Sequence, residues 1–290
     1  MESRLKLFLI LVVALFLCSC VREKDVLTRN LQICYSVCPY QNGLLISNWG
    51  TDSINPLNQE GKGYIAFHKE GVTSILIPAD GTLSAPKGMA VKDDYLFVAD
   101  VNKVVVYNLN ETSGQPQVIS FPEGNDFVSD VVIVGNVLLA SVTNTSSIYA
   151  LDISNLAHID VGSLAVYAVV PGATSLCVSD YHLFIGSSTT YGEPTEFNVI
   201  YMIDDLSNPV AQPITHRIGQ YQDLALTSDG ESLYFIDKNS DKLGRLEFAT
   251  GVVDFIGVPM KWQSPSSLVW WNNQFVIADR SMSTIWLSKF

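Results

Sequence analysis

Along this chain, short apolar bursts of strand length recur in a fixed order, and nowhere is the spacing of an amphipathic helix sustained. One unit reads 87–91, 95–100 and 103–107: three bursts rich in Val, Tyr, Phe and Leu, separated by a few turn-forming residues. The same three beats return at 130–134, 137–141 and 147–152, and at 175–179, 182–187 and 198–203. They return again at 223–227, 233–237 and 244–248, and at 267–271, 274–279 and 284–288. An opening copy lies at 35–39, 44–48 and 63–68, with a longer excursion between its second and third beats. Ser36, Gly88, Asp130, Ser175, Asp223 and Ser267 are then equivalent points, 52, 42, 45, 48 and 44 residues apart.

Units of this length and strand content predict an all-β fold, a six-bladed β-propeller of four-stranded antiparallel blades. Fourth, outer strands are expected at 73–77, 117–121, 164–170, 211–216 and 252–256. The last unit has no residues left for one, so residues 25–31 are expected to complete it and close the ring. Asn42-Gly43, Gly135-Asn136 and Asp229-Gly230 fit the tight turns between first and second strands, which need positive φ. Asn48, Asp100, Asp237 and Asp279 recur at the ends of second strands, a periodicity that marks a structural role.

The amino terminus stands outside this pattern. Arg4 and Lys6 precede an apolar run from Leu7 to Leu17, which has the layout of a secretory signal and is short for a membrane span. The following Leu17-Cys18-Ser19-Cys20 resembles a bacterial lipobox, which implies cleavage before Cys20 and lipid on that cysteine. The expected organisation is a leader at 1–19, a charged tether at 20–24 and the propeller at 25–290. Such a protein crosses the inner membrane and stays anchored in the bacterial envelope, with the periplasmic and surface sides both open.

Charge narrows the partners. The chain carries a formal −12, and −13 after loss of the leader, with no clustered Lys/Arg surface, which excludes a nucleic-acid partner. Cys34, Cys38 and Cys177 form no even disulfide set, and Cα atoms at 34 and 38 on one strand would lie about 13 Å apart, beyond bridging distance. They are expected to be buried thiols. The four histidines are scattered with no zinc spacing, and no nucleophile elbow, phosphate loop or dinucleotide fingerprint is present.

The segment Ser228-Asp229-Gly230-Glu231-Ser232-Leu233-Tyr234-Phe235-Ile236-Asp237, together with 86–100, resembles the NHL-repeat and senescence-marker/gluconolactonase propellers. That resemblance implies a divalent metal at the channel mouth held by a glutamate, two asparagines and an aspartate. By the same alignment those places fall on Cys34 or Tyr35, on or near Ser129, on Gln222 and on Ser266, so the ligands are replaced. No cofactor is therefore expected, although a divalent metal such as calcium at Asp130 and Asp223 is compatible with the charge.

Two connections between second and third strands, 48–62 and 188–197, are long, polar and aromatic-bearing, as binding loops are. They share one face of a propeller with the blade connections. The expected binding residues on that face are Trp49, Asp52, Asn55, Tyr191, Glu193 and Trp262, with Lys87, Asp130 and Asp223 around the channel. The sequence thus points to a non-catalytic propeller that binds a small molecule, glycan or protein. The alternative is a divergent metal-dependent lactone hydrolase using Asp130 and Asp223.

Overall fold

Each burst becomes a strand in the computed structural model, which describes residues 26–29, 31–240, 242–257 and 262–288. The leader, Cys20 and the tether lie outside the described residues. Strand β1 (Val26–Thr28) comes first, and blade 1 follows with β2 (Cys34–Tyr40), β3 (Gly43–Asn48), β4 (Tyr64–Lys69) and β5 (Val72–Ile77). Blade 2 is β6 (Pro86–Lys92), β7 (Tyr95–Asp100), β8 (Lys103–Asn108) and β9 (Gln117–Ser120). Blade 3 is β10 (Val128–Val134), β11 (Val137–Val142), β12 (Ser147–Asp152) and β13 (Ala165–Val169). Blade 4 is β14 (Ala173–Val178), β15 (Leu183–Ser187), β16 (Ile200–Ile203) and β17 (Gln212–Pro213). Blade 5 is β18 (Tyr221–Leu226), β19 (Ser232–Asp237), β20 (Lys242–Glu247) and β21 (Val253–Ile256). Blade 6 is β22 (Pro265–Trp271), β23 (Gln274–Asp279) and β24 (Thr284–Ser288), and β1 pairs antiparallel with β24 as its outer strand. All six sheets have four strands, so the ring closes on the amino-terminal strand as expected.

Burial explains why the second strands read as unbroken apolar runs. A blade is covered on both faces by its neighbours, so β3 is buried at all its positions while the outer β5 is largely exposed. Apolar side chains pack into every seam between blades. Phe97, Val104 and Ile119 of blade 2 pack with Val131, Leu138 and Tyr149 of blade 3, for example. Leu44 and Ile46 of blade 1 pack with Val276, Ala278 and Ile285 of blade 6.

The face that carries the connections between blades and the loops between second and third strands is called the upper face here. Acidic side chains at the ends of second strands fasten these connections. Asp279 Oδ1 and Oδ2, wholly buried, accept from the amides of Gln263, Ser264, Ser281 and Met282 at 2.6–3.2 Å. Asp100 accepts from Ser84 and Ala85, and Asp237 from Gln220 and Asn239. Asn48, in the same place in blade 1, donates Nδ2 to the Ile46 carbonyl. The recurrence of the three aspartates therefore has a structural cause, satisfaction of the amides that lead into the first strand of the same blade.

Some local expectations shift. In the first blade the turn is Gln41-Asn42, with positive φ at Gln41, and Gly43 already belongs to β3. A Cβ there would stand 2.5 Å from the His68 carbonyl oxygen, so the glycine answers strand spacing rather than turn shape. The outer strand expected at 211–216 shrinks to Gln212–Pro213, because Pro213 has no N–H to continue a ladder. Cys34 and Cys38 are buried free thiols pushed up to about 12 chiefly by burial, which makes them inert. Cys177 is also free, half-buried and shifted in the same direction for the same reason.

Replacing the buried Asp279 by alanine leaves four backbone amides without their side-chain acceptor and is expected to cost about 2–4 kcal/mol in denaturant unfolding. The exposed turn residue Asp229, replaced in the same way, should change stability by less than about 1 kcal/mol.

Candidate functional site

A propeller of six twisted sheets leaves the inner edge of each first strand facing the axis, where no further strand can pair with it. All six first strands change register at the same place, between Cys34/Ser36, Pro86/Met89, Val128/Asp130, Ala173/Ser175, Tyr221/Asp223 and Pro265/Ser267. These bulges turn the six equivalent residues toward the axis. Asp130 Oδ1 accepts from Val131 N at 2.9 Å and its Oδ2 from Leu176 N, in the next blade, at 2.8 Å. Asp223 repeats the arrangement two blades on, taking Leu224 N at 2.8 Å and Leu268 N at 2.7 Å. Ser267 Oγ accepts from Val37 N at 3.3 Å and so carries the stitching from blade 6 to blade 1.

Small residues alternate with the two aspartates for a steric reason. A Cβ at Gly88 would lie 1.9 Å from Asp130 Oδ1, and Ser36 and Ser267 meet through their hydroxyls at 3.3 Å. The result is a nearly filled channel. A cavity of about 20 Å³ remains, lined by Tyr35, Ser129, Asp130, Gln222, Asp223 and Ser266 among others. That is room for about one water.

Burial and mutual repulsion govern the two carboxyls. Asp130 is held well above the usual range, first by burial and then by the charge of Asp223, against the lowering effect of its two amide bonds. Asp223 is pushed up to about 7 by burial, again opposed by the amides of Leu268 and Leu224. Two half-buried, desolvated carboxyls therefore do not both ionise easily, and their acceptor oxygens are already engaged by backbone.

The four places that the family resemblance associates with metal ligands do converge on this cavity, with Tyr35 rather than Cys34 as the first of them. They carry no carboxylate. Gln222 Nε2 donates to Tyr35 Oη at 2.8 Å, Ser266 Oγ donates to the Tyr35 carbonyl at 2.7 Å, and Ser129 and Thr143 share a hydrogen bond at 2.7 Å. Among the described residues, no three His, Cys, Asp or Glu side chains gather to hold a metal ion.

Above the channel, the expected binding residues separate into two groups. Trp49 is wholly buried, stacks on Tyr35 at 5.5 Å and donates Nε1 to the Pro86 carbonyl, so it anchors the loop rather than meeting a ligand. Lys87 is also buried, with Nζ on the Ala85 carbonyl at 3.3 Å and near the Phe127 ring, and burial pushes its ammonium down to about 8. Trp262 packs in the seam between blades 5 and 6. Large aromatics and a lysine stem fill seams well, which is why these three left the surface. Asp130 and Asp223 lie below in the filled channel.

Asp52, Asn55, Tyr191 and Glu193 stay exposed. Asn55 Oδ1 accepts from Leu57 N and shapes its own loop. Asp52 lines a groove of about 400 Å³ where loop 49–63 meets the β23–β24 loop, with Ile33, Thr51, Ile54, Arg280 and Ser283 around it. Arg280 was not expected from the sequence. Its Nε donates to Ser264 Oγ at 2.7 Å and its guanidinium carbon lies 5.9 Å from the Tyr35 ring centre, so the cation joins the groove to the channel mouth. Its position directly after the recurrent Asp279 was the available signal.

Across the same face, Gln220 pins loop 188–197 by accepting from Thr189 N at 2.9 Å and donating to the Gly192 carbonyl at 3.2 Å. Tyr191, 74% exposed, meets Phe127 edge-on at 6.1 Å. The two long loops thus stand on different sectors of one face and do not touch a common pocket among those described.

The raised pKa of Asp223 has a definite sign in stability. Its folded value lies above the usual 3.8, so its contribution is complete below about 3.8 and is lost as pH rises through about 7. Asp223→Asn removes this ionisation, so the difference in unfolding free energy between wild type and variant should shift in the variant's favour from pH 4 to pH 8. Urea titrations across that range check it, and a difference that does not change with pH would contradict the assignment.

No protein-family model matches this sequence, and no curated protein matches it. The fold is similar to several solved structures. Selenomethionine-substituted virginiamycin B lyase from Staphylococcus aureus aligns at 13% identity and TM-score 0.60, over 91% of this chain and 96% of that one. A structural-genomics protein of unknown function from Bacteroides thetaiotaomicron aligns at 11% identity and TM-score 0.63, over 91% and 70%. A chain of the nidogen/laminin complex aligns at 11% identity and TM-score 0.60, over 77% and 83%. At these identities the likeness establishes the six-bladed propeller fold.

Proposed function

We propose that this chain is a non-catalytic binding propeller whose upper face takes a ligand or protein partner, held at the bacterial envelope by lipid on Cys20. The observation that carries the reading is the groove between blades 6 and 1, which Asp52 and Arg280 line together with Ile33 and Ile54. A concavity of this size that combines apolar side chains with a few placed charges is a usual form of ligand site. Arg280 offers a guanidinium to an acidic or carbonyl group, and Asp52 offers a carboxylate to a donor. A small molecule, a glycan or a protein loop with that complement fits. The filled channel below supports the same reading, since the carboxylates there are spent on backbone amides.

An anchor at Cys20 would be compatible with this geometry. β1 runs antiparallel to β24, with Val26 opposite Trp286 and Thr28 opposite Ile285, so the chain enters blade 6 from the lower face. Lipid on Cys20 would then turn the lower face toward the membrane and leave the upper face free.

A second reading is a divergent metal-dependent lactone hydrolase, favoured by two channel carboxyls held far from ordinary acidity, as active-site groups often are. A lyase among the structural neighbours belongs to the same fold. In that reading Asp130 and Asp223, with Gln222 or Ser266, would take a divalent ion such as calcium. Chemistry of this kind requires at least one aspartate to release its amides.

Glycan and metabolite arrays identify a ligand for purified protein, and calorimetry then compares variants. Asp52→Ala and Arg280→Ala should each weaken binding by about tenfold or more, while lactone turnover stays absent with and without added calcium or manganese. Unchanged affinity in both variants would move the site elsewhere. Metal-dependent turnover that Asp130→Asn abolishes would establish the hydrolase instead.

A further inference from the structure

A cavity lies on the lower face, away from both long loops. It occupies about 450 Å³ in the seam between blades 4 and 5. Phe184, Met202, Ile214, Leu226, Leu246 and Phe248 form its walls, and the turn residues Ser179 and His182 form one lip. Its origin is visible in the strands. The outer strand of blade 4 has two residues, against three to six in the other blades, so the outer part of this seam has no cover. Phe184 of blade 4 and Phe248 of blade 5 stack at 5.2 Å, 19° from parallel, and bridge the seam. Phe248 remains 37% exposed and the neighbouring Tyr181 75%. An apolar volume of this size matches that of small-molecule sites.

Charge then selects among apolar ligands. Residues 104–216, which run from the third strand of blade 2 to the end of blade 4, contain eleven carboxylates and no lysine or arginine. Nearly all the net charge of the chain therefore sits in the sector that borders this cavity. At the mouth itself, Asp180 follows Ser179, and Asp229 and Glu231 flank Gly230, another residue of the rim. All three are exposed, and hydrogen bonds from Thr227 and the Glu231 amide keep the Asp229 carboxyl below its usual range. An apolar anion would meet these carboxylates on entry, whereas an apolar body with a cationic end would bury the one and present the other.

We propose that the cleft between blades 4 and 5 is a binding site for a small cationic amphiphile, an aromatic or branched apolar body bearing an ammonium group. The body lies against the Phe184–Phe248 pair and the ammonium points to the rim of Asp180, Asp229 and Glu231. This site is independent of the upper-face groove.

A matched pair of probes tests it, 2-naphthylmethylammonium and 2-naphthoate, which share a ring system and differ in charge. The cation should bind saturably, about 3- to 10-fold tighter than the anion at low salt, and the preference should shrink at high salt. Met202→Trp fills the cleft and should weaken the cation at least tenfold, whereas Asp180→Lys with Glu231→Lys should reverse the preference while leaving the fold intact. In methyl-labelled wild-type protein the Met202 resonance should shift with the cation, a readout that does not depend on any variant folding. Absence of saturable binding, equal affinity for the two probes, or a Met202 signal that stays in place would overturn the proposal.

Discussion

The structure depends on how the inner edges of the six first strands are satisfied. Backbone amides that face the axis have no strand to pair with, and leaving a buried amide unpaired costs on the order of 1–3 kcal/mol. Asp130 and Asp223 each take one amide from their own strand and one from the next blade, and Ser267 takes Val37 N. The stitching crosses the seams between blades 3 and 4, 5 and 6, and 6 and 1. It has an electrostatic consequence, because it brings two largely desolvated carboxyls together and raises the pKa of both.

That constraint also shapes where function can reside. Bulges that turn the equivalent residues inward bring Tyr35, Ser129, Gln222 and Ser266 to the channel mouth, and their hydroxyls and amide bond to one another and to backbone. With the axis filled, concavities large enough for a ligand form at seams, where one blade fails to cover its neighbour. One opens on the upper face beside Arg280 and one on the lower face beside the shortened β17.

The repeats made most of the fold legible before any coordinates, because a blade repeats its burial pattern and not merely its residues. The equivalent points Ser36 to Ser267 coincide with the six register shifts, and the recurrent acidic ends of second strands proved to be amide acceptors. The site was less legible. Trp49, Lys87 and Trp262 lie in segments that read as surface loops or channel entrances, yet their bulk is drawn into seams. Arg280 and Ile54 face a groove made by residues of opposite ends of the chain, and a pattern with a period of one blade carries no information about such a meeting. The lower cleft was hidden for a related reason, since its cause is a strand that fails to form.

Native-state hydrogen exchange at the channel amides tests the central claim most directly. If the aspartates seal the axis, Val131, Leu176, Leu224 and Leu268 should exchange only through global unfolding, at rates matching core amides of the second strands. Exchange orders of magnitude faster, or amide signals of these residues that move as a divalent cation is titrated in, would contradict the account and return the channel to the list of functional sites.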